Sequence, residues 1–380
     1  MTTALRALGA GISLALLPTL SAGAETLNYA YGYPESSAVG LAAVRFADEV
    51  SQKTGGELTV QPFSMSLLSL SETGPGLRDG MADIGYVLTP YYSAEYATSL
   101  FLHELNPLVN LGPQDGTAPL AYTGAILEYT LTKCPECLSE FAAQNQVYTG
   151  GGVTTLYGLQ CTEAVASIAD LKGKRVRTAG AGFVRFAEHF GAVGVPLPVN
   201  EVYEALSQGV LDCAMLSAPE LTNYNLTDVV TDITPNIPGG LFAGVASTNV
   251  NRDVWQRLTV EEREAVLWGA SQMTAGITWN FVTQEAEAMA AAEAKGISIH
   301  QPDEASQAAV RAFVEADLQT AAAIFRDTYG VARVDEIAAD FPQMLEKWRG
   351  LVSGVDSHDA LQKLLWDQVY SKIDPATYGL

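Results

Sequence analysis

Histidine is scarce in this chain. His103, His189, His300 and His358 are scattered through 380 residues, and none stands at the spacing of a metal-ligand pair. No G-x-S-x-G elbow occurs, and no histidine lies near a serine in a way that marks a nucleophile. Cations are few as well: 21 Lys and Arg face 43 Asp and Glu, a formal net charge of -22. So acidic a chain is repelled by nucleic acid and by anionic membrane surfaces. A small anionic ligand is still compatible with it, provided a local cationic pocket exists. Low-complexity tracts are missing, and apolar residues make up an ordinary 48%. Beyond the N-terminus no apolar run is long enough to span a bilayer.

The first 24 residues, "MTTALRALGAGISLALLPTLSAGA", read as a cleaved secretory signal. Arg6 precedes a short apolar stretch interrupted by Pro18, and Ala22-Gly23-Ala24 forms an A-x-A cleavage pattern. A mature chain starting near Glu25 is expected outside the cytoplasm. In an oxidising compartment the four cysteines, Cys134, Cys137, Cys161 and Cys213, suggest disulfides, with three possible connectivities.

Strands and helices alternate. "LNYAYGY", "ELTVQPF" and "DIGYVL" read as strands, separated by helices in "AVGLAAVRFADEVSQKTGG" and "ETGPGLRDGMA". The order returns after residue 170 with strands "KRVRT", "VPLP" and "DCAMLS" and helices "AGFVRFAEHFGAV" and "NEVYEALSQG". Both modules share a G-x-x-D joint, Gly80 to Asp83 and Gly209 to Asp212, which suggests two related α/β lobes. "VEEREAVLWGASQMTAGITWNFVTQEAEAMAAAEAKG" predicts one long helix, weakly broken at Gly269 and Gly276, able to brace both lobes. In open α/β sheets ligands bind at the C-terminal strand ends, and Arg177 lies nearest that end of "KRVRT". One arginine would then anchor a ligand, while Lys172, Lys174 and Arg175 balance acidic surface.

The stretch "SIADLKGKRVRTAGAGFVRFAEHFGAVGVPLPVNEVYEALSQGVLDCA" resembles the solute-binding proteins of TRAP (tripartite ATP-independent periplasmic) transporters. The matching positions are Asp170, Leu171, Lys172, Gly173, Arg177, Gly191, Ala192, Glu201, Val202, Tyr203, Ala205, Leu206, Gly209 and Asp212. "RFADEVSQKTGGELTVQPF", "GLRDGMADIGYV" and "TNVNRDVWQRLTVEEREAV" look like further family segments. The resemblance implies an α/β, two-lobed periplasmic binding protein fold with crossing strands, a long bracing helix and a helical C-terminal extension. Expected boundaries are 25–150 for lobe I, completed by about 240–275, and 151–239 for lobe II, completed by about 276–325. Residues 326–380 form the extension.

The resemblance also implies a small organic anion held between the lobes, with Arg177 on its carboxylate. No cofactor is expected, and delivery is to the membrane subunits of the transporter. A planar guanidinium fork meets a carboxylate with two parallel bonds that a lysine cannot reproduce. Departures from the family bear on the ligand. Tyr157 stands where relatives often place a second arginine, Cys213 to Leu216 replace a Q-E-N continuation, and Val199 replaces an aromatic residue. A monocarboxylate with an apolar or aromatic portion is therefore expected, bound by a monomer in the periplasm. Candidate contacts are Arg177, Tyr157, Phe183, Val199, Met215 and Leu216, faced by Tyr33, Glu35, Ser36, Tyr91 and Tyr92. Cys161 on "LYGLQC" is expected to pair with Cys213. Cys134 and Cys137 form a C-x-x-C, read as a local structural disulfide; the alternative is a periplasmic thiol/redox enzyme. Otherwise no catalysis is expected.

Overall fold

A computed structural model describes residues 24–113 and 116–380. The expected leader therefore lies outside the described residues, apart from Ala24. Among these residues eleven strands occur, in chain order β1 (Glu25–Tyr31), β2 (Leu58–Ser64), β3 (Ile84–Leu88), β4 (Gln146–Val147), β5 (Gly158–Cys161), β6 (Arg175–Thr178), β7 (Val193–Pro196), β8 (Cys213–Leu216), β9 (Asp232–Thr234), β10 (Val245–Asn251) and β11 (Ser298–Ile299). They form two sheets, ordered β2-β1-β3-β10-β4 and β11-β9-β5-β8-β6-β7.

The suspected duplication is visible in the pairing. β1 runs parallel to both β2 and β3, and β6 runs parallel to both β7 and β8. The two G-x-x-D joints do the same work. Gly80 and Gly209 take φ of +78° and +67°, the left-handed turn that ends each preceding helix and that glycine adopts at little steric cost. The carboxylate three residues later accepts from the backbone N–H of the neighbouring strand: Asp83 from Asn28 at 2.8 Å, Asp212 from Arg175 at 2.7 Å. Each joint thus fixes the register of a third strand beside the first.

Helix Ala38–Lys53 starts at Ser37, whose Oγ accepts from the Gly40 N–H at 3.1 Å, and it buries Val39, Ala42, Phe46 and Val50. That face packs on the long helix Val260–Ala294. The long helix is unbroken at both suspected weak points. A Cβ at Gly269 would come within 2.8 Å of Phe46 and Val50, and one at Gly276 within 3.1 Å of Ala42. These glycines let two helices approach closely rather than interrupt one.

The chain passes between the sheets three times. Segments 148–157 and 235–244 cross side by side, joined by Thr154 N–H to Phe242 O (3.1 Å) and Tyr157 N–H to Gly240 O (2.9 Å). The third passage follows the end of the long helix into β11. Helix Glu304–Asp327 then packs against Ala97–Glu104 on one side and Ala181–His189 on the other. Helix Val334–Leu351 covers Ala118–Lys133, where Trp348 Nε1 donates to Glu128 at 2.7 Å. The tail returns to the first sheet: Trp255 Nε1 donates to the Tyr378 carbonyl (2.7 Å), and the Tyr378 hydroxyl donates to the Tyr148 carbonyl (2.5 Å).

All four cysteines are paired. Cys161 and Cys213 sit directly opposite each other on antiparallel β5 and β8. This bridge spans 52 residues that include all of β6 and β7. We expect the double substitution Cys161→Ser with Cys213→Ser to lower stability by roughly 2–5 kcal/mol. Urea unfolding of the two proteins measures this, and an unchanged midpoint would refute it.

Candidate functional site

Arg177 lies near the C-terminal end of β6, flanked by β7 and β8. Its Nε donates to the Leu197 carbonyl at 2.8 Å and its Nη1 to the Met215 carbonyl at 3.3 Å. The side chain is 1% exposed, and among the described residues it makes no ion pair. Tyr91 and Tyr157 also hydrogen-bond it, but a guanidinium taken out of water with only neutral partners is costly unless an anion joins it. Its neighbours in "KRVRT" differ. Arg175 is exposed and forks onto Asp212 (3.0 and 2.5 Å), while Lys174 pairs with Glu163 at 2.5 Å. The cationic run thus resolves into register and surface pairs plus one buried cation.

Arg177 borders a cavity of about 10 Å3 between the sheets. Of the expected contacts, Tyr157, Val199 and Leu216 line it from one side, and Tyr33 and Tyr91 from the other. Phe183 sits behind Tyr157, their rings stacked at 5.0 Å. Met215 contributes its carbonyl to Arg177, but its fully buried side chain does not line the cavity. Three expected residues are placed elsewhere. Tyr92 donates to the Leu70 carbonyl and accepts from the Gly74 N–H, both at 3.0 Å. Glu35 and Ser36 are exposed in the turn that Ser37 closes by donating to the Pro34 carbonyl at 2.6 Å.

The sequence reading missed four lining residues: Leu88, Thr154, Phe242 and Glu220. Thr154 and Phe242 come from the two crossing segments, whose pairing has no local signature. Glu220 follows β8 at its C-terminal end, so the strand-end rule that selected Arg177 would have found it. It is 2% exposed, and its Oε2 accepts from Asn223 at 3.0 Å. Burial pushes its carboxyl up to about 7, against the opposing pull of Asn223 and Arg177. Burial likewise raises Tyr91 and Tyr157, with Arg177 drawing both back down.

Beside this cavity lies an apolar groove of about 590 Å3. Pro90, Tyr91 and Leu100 form one wall, and Ala179, Pro196 and Pro198 the other. A second buried ionic group bridges the same gap. Arg185, from helix Ala181–His189, reaches Glu104 of helix Ala97–Glu104 at 2.6 Å and forks onto Asp317 at 2.7 and 2.8 Å. Burial raises the Glu104 carboxyl, with Arg185 opposing. Next to it, buried His103 is held down to about 3 by desolvation, and its Nδ1 accepts from the Ala243 N–H of a crossing segment at 3.1 Å.

The C-x-x-C pair lacks the strand-to-helix setting of a thioredoxin-like redox centre. Cys134 and Cys137 are bonded and almost fully buried, and they follow a helix, Ala118–Lys133, rather than a strand. The thiol-enzyme alternative is therefore withdrawn. Among the described residues no group of three or more His, Cys, Asp or Glu side chains is placed to hold a metal, and no helix is long and apolar enough to cross a membrane.

The family model of bacterial extracellular solute-binding protein, family 7, matches residues 138–323. A solute-binding protein of Albidiferax ferrireducens is 21% identical over 234 residues, 60% of this chain and 64% of the relative, so less than two thirds of that relative's length is spanned. Among solved structures, a marine-metagenome TRAP solute-binding protein specific for pyroglutamate superposes with a TM-score of 0.72 at 18% identity, covering 86% of this chain and 99% of that one. A Bordetella pertussis extracytoplasmic solute receptor binding pyroglutamic acid gives 0.67 at 23% identity, covering 86% and 100%. A Bordetella bronchiseptica TRAP protein with bound mandelate gives 0.69 at 21%, covering 85% and 99%. At these identities the structural likenesses establish the fold. The family-model match spans residues 138–323, and the fold is that of the solved TRAP solute-binding proteins.

The Arg185 group generates a test. Arg185→Ala would leave Glu104 and Asp317 as neighbouring carboxylates without their cation. We expect a stability loss of about 3–5 kcal/mol at pH 8. The loss should shrink towards pH 5, because a buried acid whose pKa is raised regains stability as it is protonated. Urea unfolding at both pH values checks this; a loss independent of pH would contradict it.

Proposed function

We propose that the protein captures a small organic monocarboxylate between its lobes in the periplasm and passes it, as a monomer, to the membrane subunits of a TRAP-type transporter. The observation that carries this reading is Arg177: buried, aimed by two carbonyls, and without an ion pair among the described residues. A ligand carboxylate supplies the directly bonded anion that Arg177 lacks. One cation in the cavity suits one carboxylate, since Tyr157 stands where a second arginine would favour a diacid. Several structural neighbours support an acid with a ring, with bound pyroglutamate, mandelate or 3-hydroxybenzoate, although another holds the sugar acid galactonate.

Roles follow from position. Arg177 anchors the carboxylate, with Tyr91 and Tyr157 beside it. Tyr33, Val199 and Leu216 enclose the body of the ligand, and Phe183 stiffens Tyr157 from behind. The groove beside Tyr91 accepts an apolar extension. We divide the chain into lobe I (25–150, completed by about 240–275), lobe II (151–239, completed by about 276–325) and an extension from 326. The crossing segments between the lobes are the hinge. A cavity of about 10 Å3 accommodates about one water, so ligand entry requires that hinge to open.

Calorimetry tests the anchor. Pyroglutamate, mandelate and 3-hydroxybenzoate form the starting panel, ranked by thermal shift. Arg177→Ala should weaken binding by roughly 2–5 kcal/mol. Arg177→Lys should recover only part, because the charge returns without the fork. Arg175→Ala, whose side chain is committed to Asp212, should stay within about threefold of the parent. Equal affinities for the parent and Arg177→Ala would sink the reading. Small-angle scattering should show a smaller radius at saturating ligand, and an unchanged radius would count against closure.

A further inference from the structure

Glu220 has no place in a simple arginine–carboxylate account. It is 2% exposed and lines the same cavity as Arg177. One oxygen accepts from Asn223, and among the described residues the other makes no hydrogen bond. The other titratable groups facing it come from several elements. Tyr33 follows β1, Tyr86 lies on β3 and Tyr91 follows it, Tyr157 precedes β5, and Tyr224 caps the short helix Glu220–Asn223 that Glu220 opens. Arg177 on β6 is the one cation acting on the acid. All five phenols are raised by burial and stay neutral across the physiological range.

The charges then count simply. With Glu220 ionised, it and Arg177 neutralise each other. A monoanion closing onto Arg177 would leave one uncompensated negative charge in a desolvated space. A proton on Glu220 removes that excess, and it turns the free oxygen into a donor for a ligand oxygen. Resting on the carboxylate reading above, we infer that capture is proton-linked: the lobes close on a monocarboxylate together with one proton, which settles on Glu220. The direction of its titration agrees. Burial already lifts Glu220 to about 7, and an approaching anion raises it further.

The sign follows from linkage. An acid whose pKa is raised by the ligand takes up a proton on binding wherever the free protein has already lost it. Above about pH 7, affinity should therefore fall by roughly tenfold per pH unit, and below that it should be flat. Calorimetric titration with pyroglutamate, mandelate and 3-hydroxybenzoate, in phosphate and in Tris at pH 8 and pH 5.5, reads proton uptake from the buffer dependence of the heat. For the acid that binds, the parent protein should take up nearly one proton at pH 8 and nearly none at pH 5.5. Glu220→Gln should take up none at either pH, and its affinity should not change between pH 6 and 9. A parent whose heat at pH 8 is the same in both buffers overturns the inference while leaving the carboxylate reading intact. Equal uptake in Glu220→Gln moves the proton elsewhere and overturns it too. If none of the acids binds, the carboxylate reading falls and takes this inference with it. Should Glu220→Gln fail to fold, the pH profile of the parent decides alone.

Discussion

A single desolvated cation organises this molecule. Arg177 is buried near the C-terminal end of β6, one strand in from the edge of a mixed sheet, and the protein bonds it to carbonyl oxygens rather than a carboxylate. Its surroundings follow from that. The phenols of Tyr91 and Tyr157 lie close enough to feel its charge. The carbonyls that aim the fork come from Met215 on β8 and from Leu197, the residue just after β7. The wall opposite is supplied by a different sheet, so the cation is dry only while the two sheets stand together. On the proposed reading, recognition and closure are one event.

Closure has a second support that does not involve the cavity. Glu104, Arg185 and Asp317 come from three helices and meet in a buried group. A buried ion pair contributes little against a well-packed apolar alternative, because desolvation offsets attraction. Its value here is geometric: the charges are satisfied only at one relative placement of the helices. The crossing segments set the axis, bonded to each other at Thr154 and Tyr157, so that bending one bends both.

Much of this was legible in the sequence wherever a local rule had a local cause. The G-x-x-D joints were readable because a left-handed glycine and a register-fixing carboxylate must occur at fixed spacing. The long helix was readable from its pattern, although Gly269 and Gly276 carried the opposite meaning to the one first read. Only the partner helix shows that they mark close contact. Arg177 could be singled out from the sequence because strand ends are where sheets bind ligands, and it does border the cavity. Glu220 obeys the same rule but opens a one-turn helix, Glu220–Asn223, too short to leave a periodic pattern in the sequence. Glu35, Ser36 and Tyr92 were misplaced because loop conformation depends on caps such as Ser37 and on distant carbonyls such as that of Leu70. The Arg185 group was invisible for the same reason: its members are far apart in the chain, and nothing local announces their meeting.

Helix Glu304–Asp327 has a consequence for how the molecule moves. Phe313 near its middle packs on Phe186 and Phe190, while Phe325 near its end packs on Phe101. One rigid rod thus holds an aromatic contact with each side of the cleft. Aromatic contacts of this kind are made or broken rather than stretched. A change of aperture must release one of the two, so the jaw has detents instead of a continuous travel. Releasing the Phe325 contact would bare a ring that the shut form hides. The two positions would then differ in the outline they present to any surface that meets them, whatever lies inside.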